Sequence, residues 1–261
     1  MSAGRLAGRR ILVTRPRAQA AGLAALIREE GGEPILFPAI EIADLADLSA
    51  FDAIADRLEE FALAIFISPT AVQRALDLLR VRRKGLPWPA RVQVAAIGRG
   101  TARELERSGF PEVLAPAAEA DSEALLALPA LSSVAGMQVV VFRGQGGREF
   151  LGDTLAERGA RVEYAECYRR IRPAQEISAP PPAWAHRALD AVTVSSSEGL
   201  ANLDALLGAW RRDWLQESPL FVSHPRIAEE AERLGARETV VAGPGDREIS
   251  LGLVAYFRDA K

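Results

Sequence analysis

Six short segments concentrate the side chains that could grip an anion: TRPR at 14–17, SPT at 68–70, GRGT at 98–101, RGQGGR at 143–148, SSSEG at 195–199 and SHPR at 223–226. Together they offer the N–H groups of small residues, several hydroxyls and the guanidinium groups of Arg15, Arg143 and Arg148, with Glu198 their one carboxylate. Hydroxyls and N–H groups each satisfy one ligand oxygen, while arginine adds charge-assisted or bidentate bonds. Such a set suits a ligand with several carboxylates or phosphates. A single Ser or Thr here is equally well an ordinary helix N-cap, but six such segments in one chain point to a site.

Other chemistries fit poorly. Residues 144–149 read G-Q-G-G-R-E, so Glu149 stands where a dinucleotide fingerprint needs its last small residue, and no G-K-[ST] follows any strand pattern. No acidic pair follows the first strand, which disfavours a receiver-like interaction module. Ser196 and His224 could join a carboxylate in a triad, yet no G-x-S-x-G elbow frames the serine. Cys167 is the only cysteine, and His186 and His224 the only histidines, so neither a disulfide, a structural zinc site nor any cofactor is expected. Tyr168 stands apart as a phenol that would serve as a neutral hydrogen-bond donor to a ligand, or else as an amphipathic residue lying on a linker strand. Cys167 beside it is expected to face the other way, with nothing nearby to lower its pKa. His224 reads equally as a cleft donor or as polar packing.

The elements that position these groups come from a repeat. Residues 8–42 lie on residues 136–170 without a gap, pairing Val13 with Val141, Arg15 with Arg143 and Gly31 with Gly159, a spacing of 128. FISPTAV at 66–72 falls on VSSSEGL at 194–200 at the same spacing, and AIGRGTA at 96–102 on VSHPRIA at 222–228 at 126. Each long copy reads as a short β-branched strand, an amphipathic helix stopped by glycine and a second strand, which is a βαβ unit. The expected fold is α/β: two similar doubly wound parallel-sheet domains joined by a two-stranded linker. If the extended stretches at 38–42 and 166–173 are crossing linkers, domain 1 comprises residues 1–40 with 171–261, and 41–170 is an inserted domain 2. Ligands of such sheets sit where strands end and helix N-termini begin, which is where the six segments lie. The Pro180-Pro181-Pro182 run and residues 116–121 read as surface connections, and the basic run 80–84 as a solvated helix end.

The chain has 261 residues and a formal charge of −3, with a pI near 5.6, which argues against a nucleic-acid binder with a broad basic face. No run approaches the ~20 apolar residues of a membrane span, and the first ten residues lack the apolar stretch of a signal peptide. A cytoplasmic monomer acting on a small molecule, with no nucleic-acid or membrane partner, is expected.

At these residues the chain resembles the uroporphyrinogen-III synthase family, through ILVTRP, IFISPTAV, AAIGRGTARELERSGF, VVVFRGQGGREFLGDTLAERGA, ECYRR, VTVSSSEGL and SHPRIAEEAERLG. The resemblance implies an enzyme that closes the linear octacarboxylate hydroxymethylbilane with loss of water and inversion of its last ring, without cofactor or metal. It implies a binding role for Thr14, Arg15, Ser68, Gly98, Thr101, Arg143, Gly144, Gly146, Ser196, Ser197, His224 and Arg226, and a catalytic one for Tyr168 in departure of the hydroxyl. Some relatives carry G-P-T-T where this chain has His224-Pro225-Arg226-Ile227, so no hydroxyl role carries over there. The alternative is a non-catalytic receptor for the same kind of polycarboxylate.

Overall fold

The computed structural model describes residues 4–117, 121–147, 149–174, 189–208 and 215–259; Arg148, His186, the proline run at 180–182 and residues 118–120 lie outside them. In chain order, β1 (Arg10–Val13), α1 (Arg17–Glu29) and β2 (Glu33–Leu36) form the first βαβ unit. Next come β3 (Glu41–Ala43), α2 (Ser49–Ala55), β4 (Leu63–Phe66), α3 (Pro69–Arg82), β5 (Gln93–Ala96) and α4 (Arg99–Arg107). After the short α5 (Ser122–Leu126) and α6 (Pro129–Ser132), the second βαβ unit runs through β6 (Gln138–Gly144), α7 (Phe150–Glu157) and β7 (Arg161–Ile171). The chain then adds β8 (Ala191–Val194), α8 (Ser197–Leu207), β9 (Leu220–Val222), α9 (Pro225–Arg233), β10 (Thr239–Val241) and α10 (Asp246–Asp259). Gly31 and Gly159, repeat equivalents just past α1 and α7, sit at φ +82° and +87°, a region that favours glycine and turns the chain into the next strand.

Two compact units result, Met1–Ile42 with Ile171–Lys261, and Ala43–Arg170. The first sheet has the order β10-β9-β8-β1-β2 and the second β3-β7-β6-β4-β5. Under the repeat, β1 and β2 match β6 and β7, while β8 and β9 match β4 and β5. Read that way, four strands of each sheet share one order, the fifth being β10 beside β9 in one and β3 beside β7 in the other. Each sheet is assembled from the first half of one copy and the second half of the other. The inner pairings of both are parallel. The stretch 166–170 is the end of β7, held against β6 as far as Gly144.

Both faces of the inner strands are buried, which is why they read as continuous apolar runs. In β1, Ile11 and Val13 face one way, with Phe221, onto α1 and α10. Leu12 faces the other way, with Val192, Val194 and Leu220, onto α8 and α9. In the second sheet, Ile65, Val139 and Val141 pack under α5, α6 and α7. Phe66 and Phe142 stack at 4.7 Å on the opposite face, with Phe51 of α2 6.2 Å from Phe142.

Candidate functional site

In the first unit, Thr14 lies just past β1, 3% exposed. Its hydroxyl donates to the Thr193 carbonyl at 2.7 Å, and the Thr193 hydroxyl donates to the Leu12 carbonyl at 3.0 Å. This exchange stitches β1 to β8, so the Thr14 proton is committed to the sheet. Arg15 pairs with Asp246 in the first turn of α10, while its Nε is buried without a partner. Pro16 begins α1 with no side chain closing its N–H groups. Ser196 accepts the Gly199 N–H at 3.0 Å, capping α8, and the Ser197 hydroxyl is buried without a partner. Ser223 donates to the Ser195 carbonyl at 3.0 Å. A recess at this edge is lined by Arg15, Thr193, Ser195, Ser223, Gly245 and Asp246. His224 and Arg226 are exposed; the imidazole Nδ1 caps α9 by accepting the Arg226 N–H at 3.1 Å, and Arg226 lies 4.0 Å from Glu230.

In the second unit, Ser68 caps α3 by accepting the Ala71 N–H at 3.0 Å, and its Oγ lies 3.2 Å from the Tyr168 hydroxyl. At the adjoining junction Gly98 precedes α4 without a side chain to cap it, and Thr101 is buried in its first turn. The helix starts at α1 and α4 thus remain open to an external acceptor, whereas Ser68, Ser196 and His224 occupy theirs in the ordinary capping role.

Tyr168 does not lie on a free linker. It is in β7, 3% exposed. The register slips as β6 reaches Gly144: Glu166 stands opposite Arg143 and Tyr168 opposite Gly144, leaving Cys167 as the extra residue. The phenol ring fits because Gly144 lacks a side chain; a Cβ there would meet Cε2 and Cζ of Tyr168 at 2.7 Å. Arg143 stacks over Tyr164, its Cζ 3.9 Å from the ring centroid, and Nη2 lies 3.4 Å from Glu166 Oε1. That same oxygen accepts the Gly146 N–H at 2.9 Å. Among the residues expected from sequence, Ser68, Gly144 and Tyr168 thus form one cluster and Arg143 and Gly146 a second, joined through Glu166. Glu166, Tyr164 and Asp246 escaped sequence reasoning. The first two alternate on one strand opposite Arg143, a signal that becomes visible only once the register is known.

The thiol of Cys167 is buried against the carbonyls of Arg143 and Ala71, at 3.2 and 3.8 Å. Desolvation pushes its pKa up to about 12. Native Cys167 should therefore resist alkylation by iodoacetamide at pH 8, in contrast to the urea-unfolded chain, as followed by mass spectrometry. Equal rates would contradict this burial. Above the unfolded thiol's pKa the unfolded chain loses a proton that the native state keeps, so this group makes stability fall between about pH 8.5 and about 12.

Among the described residues, no cluster of His, Cys, Asp or Glu could hold a metal ion, and no helix is long and apolar enough to cross a membrane.

A family model described as uroporphyrinogen-III synthase HemD matches residues 21–245. The uroporphyrinogen-III synthase of Salmonella typhimurium is 36% identical over 246 residues, covering 92% of this chain and 98% of the relative. The Escherichia coli protein of the same name is 35% identical over 242 residues, with the same coverage. Among solved structures, a mutant uroporphyrinogen III synthase from Thermus thermophilus superposes with a TM-score of 0.61 at 19% identity, covering 97% of this chain and 98% of that one. A uroporphyrinogen-III synthetase from Helicobacter pylori has a TM-score of 0.61 at 16% identity, covering 96% and 100%. At those identities the structures speak for the fold.

Proposed function

This chain belongs to the uroporphyrinogen-III synthase family, and from that we infer that it closes hydroxymethylbilane to uroporphyrinogen III in tetrapyrrole biosynthesis. The observation that carries the inference is identity of about one residue in three with curated synthases along nearly the whole chain.

The residue inventory supports it. The substrate is a flexible octacarboxylate, and the strand ends of each unit carry arginine, hydroxyl and N–H donors, with Asp246 and Glu166 each paired to an arginine. Arg15, Arg143 and the open starts of α1 and α4 can take carboxylate oxygens. With a proton taken from solvent, the terminal hydroxyl leaves as water and an azafulvenium cation remains; ring closure and recovery of the aromatic pyrrole return that proton, so no strong base is needed. Unaided, the bilane closes to the uninverted isomer, so the protein's task is to hold the chain while ring D is attacked at its substituted carbon, through a spirocyclic intermediate. Tyr168 donates a hydrogen bond to the departing hydroxyl. Gly98, Thr101, Ser196, Ser197, His224 and Arg226 would add contacts to the substrate periphery, mostly through N–H groups. We take the chain to act as a cytoplasmic monomer, without nucleic acid, in keeping with its pI near 5.6.

The test is to feed enzymatically generated hydroxymethylbilane to the chain, oxidise the product and separate the isomers. Mostly type III is expected. An isomer mixture equal to the enzyme-free control overturns the reading. Tight tetrapyrrole binding without faster closure would favour the receptor instead.

A further inference from the structure

Arg15 and Arg143 are repeat equivalents, but the acids they meet do not correspond to each other. Glu166 falls on Pro38 at the spacing of 128, while Asp246 opens DREISL as Asp121 opens DSEALL, at a spacing of 125. The fold has thus brought a carboxylate to the strand-end arginine of each unit by two unrelated routes, from α10 in one and from β7 in the other.

Neither pairing satisfies its arginine. Nε of Arg15, and both Nε and Nη1 of Arg143, are buried without partners. The Arg143 side chain is only 8% exposed, yet its bond to Glu166 is 3.4 Å long. A buried guanidinium with open donors is unfavourable, and its planar fork matches a ligand that brings two oxygens. Glu166 is held more loosely than its arginine, 31% against 8% exposed, whereas Arg15 and Asp246 are both about a quarter exposed, so that either partner can reach water. Each acid also keeps another stabilising neighbour if it lets go: Glu166 the Gly146 N–H at 2.9 Å, and Asp246 the positive end of α10.

Given the polycarboxylate substrate inferred above, on which the idea rests, we propose that Glu166 and Asp246 are internal stand-ins for substrate carboxylates. They hold the two arginines in place until carboxylate groups of the tetrapyrrole displace them. After the exchange each acid turns towards water, and the arginine meets an oxygen pair better matched to its open donors. Both acids therefore weaken tetrapyrrole binding, because every binding event must first dislodge them.

Glu166→Gln and Asp246→Asn keep the shape and remove the charge. Titration of the full chain with uroporphyrin III, an octacarboxylate, followed by tryptophan fluorescence, should show each variant binding about three- to tenfold tighter. The double variant should show the product of the two factors, since distant sites in separate units add. Unchanged or weaker binding in either variant overturns the proposal, because removing an acid whose task is to orient its arginine would loosen the ligand. Should Glu166→Gln fail to fold, Glu166→Asp, which withdraws the charge by one methylene, carries the same expectation in smaller measure. A wild-type chain that binds no uroporphyrin refutes the tetrapyrrole reading itself, whereas wild-type binding without tightening in the variants refutes only the stand-ins.

Discussion

Tyr168→Phe should lower kcat for ring closure by about ten- to a hundredfold while KM moves by less than about twofold. The ring stays seated on Gly144 in the variant, so packing and fold are retained and only the hydroxyl is lost. In the native chain that hydroxyl lies 3.2 Å from Ser68 Oγ, which itself accepts the Ala71 N–H at the start of α3. With Ser68 donating to the phenol oxygen, the three groups form a chain in which each bond polarises the next, making the phenol a stronger donor. A hydrogen bond to a group gaining charge contributes about 1.5–3 kcal/mol, and each ~1.4 kcal/mol is tenfold in rate. Because the bilane also closes unaided, the slow variant should release a larger share of the uninverted isomer, visible by chromatography. Gly144→Ala tests the same positioning from the backbone side: its Cβ would press on the ring at 2.7 Å and should reduce kcat without weakening product binding. An unchanged kcat in Tyr168→Phe removes Tyr168 from the mechanism.

The second large effect is on stability. Phe142→Ala should destabilise the second unit by about 3–5 kcal/mol, the usual range for deleting a fully buried aromatic ring. Phe142 has no exposed surface, lies on the middle strand of its sheet, and contacts the rings of Phe66 and Phe51. Few side chains near it can move into the space, since the strands on both sides are fixed by parallel ladders. Urea denaturation followed by circular dichroism measures the loss. Phe150→Ala, at a residue 46% exposed, is the control and should stay within about 0.5 kcal/mol. A loss below about 1 kcal/mol for Phe142→Ala would contradict the packing.

The parallel α/β character was legible because buried strands and amphipathic helices leave local marks. Val139, Val140, Val141 and Phe142 are consecutive and apolar since both faces of β6 are covered, and Gly31 and Gly159 mark the ends of their helices by backbone need alone. The strand-to-helix junctions were legible for the same reason, as Ser68-Pro69 and His224-Pro225 are local start signals. What those junction residues touch was not. Whether the Thr14 hydroxyl faces a ligand or the Thr193 carbonyl depends on a strand 179 residues away. That Tyr168 is buried against Gly144 depends on a one-residue slip in a pairing register that no local pattern encodes.

The amino-acid order alone determined the repeat, the placement of donors at strand ends and the family to which the chain belongs, since each rests on spacing along the chain. Only the tertiary structure decided which donors are already engaged. It brought Asp246 to Arg15 across 231 positions and Glu166 to Arg143 across a strand pairing, giving equivalent arginines carboxylate partners that share no ancestry in the repeat. The physical reason is that a local pattern fixes how a segment folds, whereas the partner of a buried charge is set by whichever element the packing within its own unit carries to it.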